Sequence, residues 1–204
     1  MSGIKERYLM KRMFLAIIKD IRRFYDMYSI PAAQTAAVVL VLALVAGCIY
    51  AHRRGGIYPQ RRAIAVKAVL TACLADYIYM VVGITMLSRR ESYSDIVNLE
   101  LFSTFQKTFS GMKNVYENFI LLMPCAVLLY ALAGVFRRAP AAFLTGLSAS
   151  LAIETVQMQT HLGRFELDDI LMNTAGFMVG YFLCAMVHKM TSIARNAVSY
   201  RGNC

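Results

Sequence analysis

Long apolar runs alternate with short polar segments along this chain. Five runs lie at 32–50, 63–87, 114–136, 139–158 and 170–188. Each is close to the length of about 20 mostly apolar residues that a helix needs to cross a bilayer. Pro124 lies inside the third run, where its missing N–H group should kink the helix. The pattern predicts an all-α fold, that of a polytopic helical membrane protein with about five transmembrane helices.

The first 30 residues show a different, amphipathic pattern. Apolar residues recur at steps of three and four, whereas basic residues such as Lys11, Arg12 and Arg22 occupy the other side. A basic polar face of this kind is typical of a helix that lies on a membrane surface, and Pro31 should end it. The alternative is a helix that packs on the protein itself. The chain is thus divided into an amphipathic interfacial helix, a first hydrophobic helix with a basic loop, a four-helix membrane domain and a basic tail, at 1–30, 31–62, 63–190 and 191–204.

Composition supports a membrane protein. Of the 204 residues, 58% are hydrophobic and 17% are charged, and the mean hydropathy is +0.51, which is too apolar for a soluble domain of this size. The net charge of +10 could indicate nucleic acid, but the basic residues lie mainly between the apolar runs and at the N-terminus. That distribution is typical of topology control and of contact with anionic lipid. The lipid bilayer is therefore the expected partner, and nucleic acid is not.

The basic segments predict an orientation. The loop at 52–62 contains four arginines, Arg137 and Arg138 close the third run, and the C-terminal tail is also basic. With five spans these segments fall on one side, which the positive-inside rule places in the cytoplasm. The N-terminal helix, with seven basic residues, would then lie on the other side. Either the rule fails for that helix, or 32–50 re-enters without crossing; we adopt the first interpretation.

Polar residues gather near one end of the last three predicted spans. Asn118 lies near the start of the third span, Glu154 and Gln157 near the end of the fourth, and Asn173 near the start of the fifth. At 1.5 Å per residue, each lies within about 10 Å of the same membrane face. The connection beside them adds further charges. The predicted ligand-binding residues, on the extracytoplasmic side, are Asn118, Glu154, Gln157, Arg164, Asp168, Asp169 and Asn173.

Two features lie outside this cluster. Asp76 is near the middle of the second span, where a carboxyl group must be protonated, paired or face a wet cavity. Gly176 and Gly180 form a GxxxG pattern that is typical of close helix packing.

The candidate chemistry leaves alternatives open. Burial would favour the neutral form of the Glu154 carboxyl group, which could then act as a general acid or base; Glu154 and Asp169 are the catalytic candidates. Glu154 could equally be a structural partner of Arg164 or Asn173. Arg164 could grip an anionic head group or a peptide carboxylate, or form a salt bridge with Asp168 or Asp169. Asp169 could also cap the helix that it begins.

Neither a metal nor a cofactor is predicted. Acidic residues and His161 occur together between 154 and 169, but without the spacing of a known ligand motif such as HExxH. The five cysteines include no CxxC pair, so neither a zinc site nor a disulfide framework is indicated.

The polar stretch resembles the VanZ-like membrane family. Asn118 and the apolar residues up to Pro124 provide a second match, and Asn98, Leu99 and Phe102 a weaker third. The main match consists of Glu154, Gln157, Arg164, Asp168, Asp169, Asn173, Gly176 and Gly180. The resemblance covers roughly 98–181, and it departs from the family pattern at Leu101 and Ala126, where the family has proline and glycine. It implies a multi-pass protein of the bacterial cytoplasmic membrane whose signature faces outward, and a link to resistance to the glycopeptide teicoplanin.

Three functions are compatible with this reading. The first is a non-enzymatic envelope protein that binds an extracytoplasmic ligand, namely a lipid-linked or peptidoglycan-like head group or a glycopeptide antibiotic. The second is a membrane-embedded enzyme that acts on a lipid-linked substrate, with Glu154 as general acid or base and Asp168 or Asp169 assisting. The third is a small transporter, which only Asp76 supports.

Overall fold

The computed structural model describes residues 2–53, 61–87, 97–102 and 109–201. Five helical stretches in this part of the chain are long and apolar enough to cross a membrane: Tyr25–Tyr50, Arg61–Met86, Gly111–Leu132, Ala139–Gln159 and Leu167–Asn196. The predicted all-α membrane fold is therefore confirmed. The helices are α1 (Ser2–Arg53), α2 (Arg61–Val82), α3 (Phe109–Leu121), α4 (Met123–Leu132), α5 (Ala139–Gln159) and α6 (Leu167–Arg201).

Short elements connect these helices. A π-helical segment, Gly83–Leu87, continues α2, and a 3₁₀ turn, Gly134–Arg137, joins α4 to α5. The strands β1 (Val97–Asn98) and β2 (Phe165–Glu166) pair in parallel. Most of the predicted tail is helical, since α6 reaches Arg201. The basic loop predicted at 52–62 lies mostly outside the described residues.

Helix α1 passes through Pro31 without a break, so the predicted helix end at Pro31 is wrong. Contacts on both sides of the proline account for this. Tyr28 packs against Gly83, where an added Cβ would lie 3.1 Å from the tyrosine ring, and Ala32 is only 1% exposed. The Thr35 hydroxyl donates to the Pro31 carbonyl at 3.0 Å. Tertiary packing thus outweighs the local preference for a break, and Tyr25–Tyr50 is one continuous helical stretch that is long and apolar enough to cross a membrane.

The N-terminal half of α1 packs on the beginning of α3. Asp20 Oδ2 lies 2.5 Å from Lys113 Nζ, and the Arg12 guanidinium group lies over the Phe109 ring, 5.6 Å from its centroid. Met13 and Ile17 are buried. These contacts pack one face of the helix on the protein itself, while Tyr8, Met10 and Phe14 remain exposed; the location of the helix on the membrane surface stays a prediction.

The third span is divided at Leu122, two residues before Pro124, as the sequence predicts. Leu122 has φ −100° and ψ −2° between α3 and α4. The break disturbs the carbonyl groups in the preceding turn, and the Tyr77 hydroxyl donates to the Leu121 carbonyl at 2.7 Å. Since buried backbone groups need partners inside a membrane, this bond fixes α2 to the break between α3 and α4.

Helix α6 lies at the centre of the core and contacts its neighbours through glycine. A Cβ on Gly176 would overlap the carbonyl oxygen of Phe119, and one on Gly180 would lie 2.6 Å from that of Met123. On the other side of α6, the Phe177 ring packs onto Gly146 of α5. The buried core around these contacts comprises Leu122, Cys125, Ala126, Tyr130, Ala142, Phe177 and Tyr181.

Gly176→Ala should destabilise the protein, because the added methyl group meets backbone that cannot rotate away. Overpacking of a core typically costs about 1–3 kcal/mol, and we expect at least the upper part of that range. Thermal unfolding in detergent measures the effect. Gly134→Ala is the matched control, since an added Cβ there meets nothing within 4 Å. Equal melting temperatures for the two variants would contradict the close contact.

Candidate functional site

Buried polar side chains bind backbone groups at one end of the bundle. Gln157 Nε2 donates to the Thr85 carbonyl at 3.0 Å, and Glu154 Oε2 accepts the Glu166 N–H at 3.0 Å. Asp168 Oδ1 accepts the Phe102 N–H at 2.6 Å. The three acceptor or donor side chains are between 1% and 2% exposed. These bonds bring together the π-helical continuation of α2, the end of α5, the beginning of α6, strand β2 and the segment that follows β1.

The strand pair reinforces this arrangement. Val97 pairs with Phe165, and Asn98 pairs with Glu166. Glu154 holds the N–H of Glu166 in β2, and Asp168 holds that of Phe102, which follows β1. Glu154 thus makes a structural contact with the Glu166 N–H, whereas the structural partners predicted for it were Arg164 or Asn173.

A small polar pocket of about 70 Å³ lies beside these bonds. Three of the predicted ligand-binding residues come together in its wall, namely Asn118, Arg164 and Asp169. The other three lining residues, which are Asn114, Glu117 and Glu166, are not among the predicted ligand-binding residues. Glu117 and Asn118 lie three and four residues after Asn114 on α3, so their common face could have been found from the sequence.

The charges at this polar pocket are mostly negative. Glu117, Glu166 and Asp169 face it together with one guanidinium group, that of Arg164. Glu117 also lies 3.6 Å from Lys113, which bridges it to α1 through Asp20. The pocket thus presents carboxylate and amide oxygens with one cationic donor, a set that suits a zwitterionic or hydroxyl-rich group.

The remaining predicted residues lie deeper. Asn173 is 1% exposed on α6, and Gln157 is 1% exposed on α5. Among the described residues, buried oxygen atoms that make no hydrogen bond include Gln157 Oε1, Asn173 Oδ1, Ser150 Oγ and Thr174 Oγ1. Buried polar atoms normally have partners, so the α5–α6 contact contains acceptors that a polar group could satisfy.

A larger cleft lies between α1, α2 and α3. Its volume is about 780 Å³, and its wall is mainly apolar, with Ile17, Met80 and Ile120 among its residues. Asn114, Glu117 and Asn118 line this cleft as well as the polar pocket. Asp76 and Tyr77 also line it. Asp76 therefore lines a cavity whose wall is mainly apolar, and the wet environment that was one alternative for it stays a prediction.

The catalytic candidates have different surroundings. Asp169 lines the polar pocket, whereas Glu154 is not among the described residues that line either cavity. His161 is exposed, with φ 55°, in the turn after α5. In the part of the chain that the structure describes, no three His, Cys, Asp or Glu residues are grouped so that they could hold a metal ion.

The fold and the site define a multi-pass helical membrane protein whose polar groups gather at one end of its helical bundle. Residues 74–188 match the family model described as VanZ/LLP1. The match covers more than half of the 204-residue chain, so the protein belongs to the VanZ/LLP1 family, and the resemblance read from the sequence is confirmed. Searches of curated proteins and of solved structures found no match.

Glu154→Ala should destabilise the protein because it leaves the Glu166 N–H without its acceptor. A buried group that loses its partner costs about 1–3 kcal/mol. Glu154→Gln keeps an oxygen acceptor and should lose much less stability. Thermal unfolding in detergent and hydrogen exchange at the Glu166 amide measure both effects. An alanine variant as stable and as protected as the unmodified protein would contradict the structural role.

Proposed function

We propose that this protein binds an extracytoplasmic ligand at the polar pocket, from its place in the bacterial cytoplasmic membrane. The ligand is a lipid-linked or peptidoglycan-like head group, or a glycopeptide such as teicoplanin. The observation that carries the proposal is the convergence of Asn118, Arg164 and Asp169 from two helices and a connection onto one pocket. Membership of the VanZ/LLP1 family supports it, since the family name is linked to glycopeptide resistance.

The pocket chemistry suits such ligands. The Arg164 guanidinium group offers planar paired donors, which match a carboxylate or a phosphate. Amide groups of Asn114 and Asn118 can both donate and accept. Carboxylates such as Glu166 can accept from ammonium or hydroxyl groups. A sugar-peptide head group carries all of these functions in a small space.

Burial favours binding over catalysis. Glu154, which would be the general acid or base of an enzyme, is 2% exposed and accepts a backbone N–H. Asp168 is 1% exposed and accepts another. A general acid or base must come within hydrogen-bond reach of the substrate atom that it serves. Of the acids considered for catalysis, Asp169 alone lines the polar pocket within the described part of the chain.

Arg164→Ala should weaken binding of teicoplanin or of a lipid-linked peptidoglycan precursor to the purified protein. Loss of a charge-assisted hydrogen bond is worth about 1.5–3 kcal/mol, which corresponds to a tenfold or greater increase in Kd. Asn118→Ala should act in the same direction. Calorimetry or fluorescence titration measures the affinity.

Arg195→Ala is the matched control, because Arg195 is exposed near the far end of α6 and lies away from the pocket. Unchanged Kd values for Arg164→Ala and Asn118→Ala, with both proteins folded, would remove the basis of the proposal.

The proposed orientation places the C-terminus of α6 in the cytoplasm, since α6 begins at the polar end and contains one span. Green fluorescent protein fused to the C-terminus should therefore fluoresce in cells, and alkaline phosphatase fused there should be inactive. Active phosphatase with a dark fluorescent fusion would place the polar pocket in the cytoplasm and contradict an extracytoplasmic ligand.

A further inference from the structure

We propose that the apolar cleft between α1, α2 and α3 holds a hydrocarbon chain of an amine-bearing bilayer lipid, whose head group lies in the polar pocket. This inference rests on the proposed function, because both use the polar pocket. The hydrocarbon chain occupies a second site, the apolar cleft, whose wall is formed in part by α1. The head group in the polar pocket bears an amine.

The size of the cleft suits a hydrocarbon chain. Its volume of about 780 Å³ falls within the range of about 300–1,000 Å³ that is typical of small-molecule sites. A chain of linked methylene groups fills such a space and buries apolar surface along its whole length.

The depth of the cleft corresponds to one leaflet. Along α2 its wall runs from Asp76 to Thr85, which is about 14 Å at 1.5 Å per residue. The hydrocarbon core of a bilayer is about 30 Å thick, so the cleft extends roughly to the midplane from the polar end. A lipid of the adjoining leaflet can therefore place its chain in the cleft while its head group stays at the membrane surface.

The cleft is accessible from the side of the bundle. Tyr25 of α1 is 63% exposed and Ile120 of α3 is 42% exposed, although both line it. Both residues belong to helical stretches that are long and apolar enough to cross a membrane, and Tyr25 is the first residue of its stretch. A hydrocarbon chain can thus enter from the bilayer without crossing water.

The two cavities adjoin each other, so a ligand that occupies both must be amphiphilic. Asn114, Glu117 and Asn118 line the apolar cleft and the polar pocket alike. A molecule that fills both must carry polar groups at one end and apolar groups along the remainder. A bilayer lipid has this division, whereas a soluble peptide or sugar has no group for the cleft.

Charge selects the head group. Three carboxyl groups, those of Glu117, Glu166 and Asp169, face the polar pocket. Two cations oppose them, Arg164 in the wall and Lys113 beside Glu117. With all five groups ionised, the net charge is negative even when both cations are counted. An ammonium group is therefore favoured, while Arg164 suits the phosphate of the same head group. A purely anionic lipid lacks the ammonium group.

Native mass spectrometry of the full-length protein with phosphatidylethanolamine and phosphatidylglycerol of identical acyl chains tests the proposal. We expect phosphatidylethanolamine to bind several-fold more tightly. Glu166→Gln, which removes one carboxylate charge at nearly constant shape, should reduce that preference. Equal binding of the two lipids, or a preference for phosphatidylglycerol, would overturn the assignment of an amine head group.

Ala33→Phe tests the chain site. Ala33 lines the cleft and is exposed, so a larger side chain there should occupy the cleft without overpacking the core. Lipid binding should fall about tenfold, since displacement of a few methylene groups is enough for such a loss. Ser29→Phe, at another position in the wall, should act alike. Ala65→Phe is the matched control, because Ala65 is exposed on α2 and lies more than ten residues before Asp76.

Binding of a water-soluble peptidoglycan-like sugar-peptide, which carries no hydrocarbon chain, separates the two proposals. Ala33→Phe should leave this binding intact, which also shows that the variant is folded, whereas Arg164→Ala should reduce it. If Ala33→Phe and Ser29→Phe bind lipid as tightly as Ala65→Phe does, the chain site is wrong, whatever the pocket binds. If Arg164→Ala retains the soluble sugar-peptide while Ala33→Phe loses lipid, the chain site stands and the proposed pocket function fails.

Discussion

Backbone groups outside the helices must find hydrogen-bond partners within the protein when they lie at membrane depth. Three buried side chains meet this requirement at the polar end of the bundle. Gln157 donates to the Thr85 carbonyl near the end of the second span, while Glu154 accepts from Glu166 in β2 and Asp168 accepts from Phe102, which follows β1. The position of the connection between α5 and α6 depends on these bonds. Since Arg164 and Glu166 belong to that connection, the polar pocket depends on them as well.

Close helix contact fixes the opposite wall of the polar pocket. The carbonyl of Phe119 lies against Gly176, and that of Met123 lies against Gly180. Phe119 follows Asn118 directly, so the glycine contact sets the depth and rotation at which Asn118 reaches the pocket. Asp169 stands two turns before Gly176 on the same helix, and steps of four and three place them on one face. The position of α6 against α3 and α4 therefore determines both the glycine contacts and the geometry of the polar pocket.

Much of the fold could be read from the sequence because its signals are local. Apolar runs identify the five spans, and Pro124 marks the break in the third because proline alters its own turn. Pro31 has the same local signal, yet α1 continues through it, because Tyr28 and Ala32 on either side are packed against other parts of the protein. Such contacts between residues far apart in the chain cannot be predicted from a local sequence pattern.

The candidate site shows the same limit. The distance of each polar residue from the end of its span predicts that polar residues of three spans lie near the same membrane face. That distance does not determine how each helix is rotated about its axis. Glu117 was missed, although it lines the polar pocket and the helical face that it shares with Asn114 and Asn118 could have indicated it. For Glu154 a catalytic role and a structural bond to Arg164 or Asn173 were the alternatives, and its bond to the Glu166 N–H was not predicted. The Glu166 N–H is positioned by a strand pair between residues that are far apart in the chain. Each strand contains two residues, which is too short to produce a recognisable sequence pattern.

The two cavities differ in how they relate to the family. All six residues that line the polar pocket fall within 74–188, the range that matches the VanZ/LLP1 model. The α1 wall of the apolar cleft, including Ile17, Tyr25 and Ala33, lies before residue 74. Asp20 and Lys113 join this outer segment to the family region directly beside Glu117. A polar pocket built from family residues is thus completed on its apolar side by a helix from outside the match. Residues of the α1 wall can accordingly change without any change in the residues that line the polar pocket.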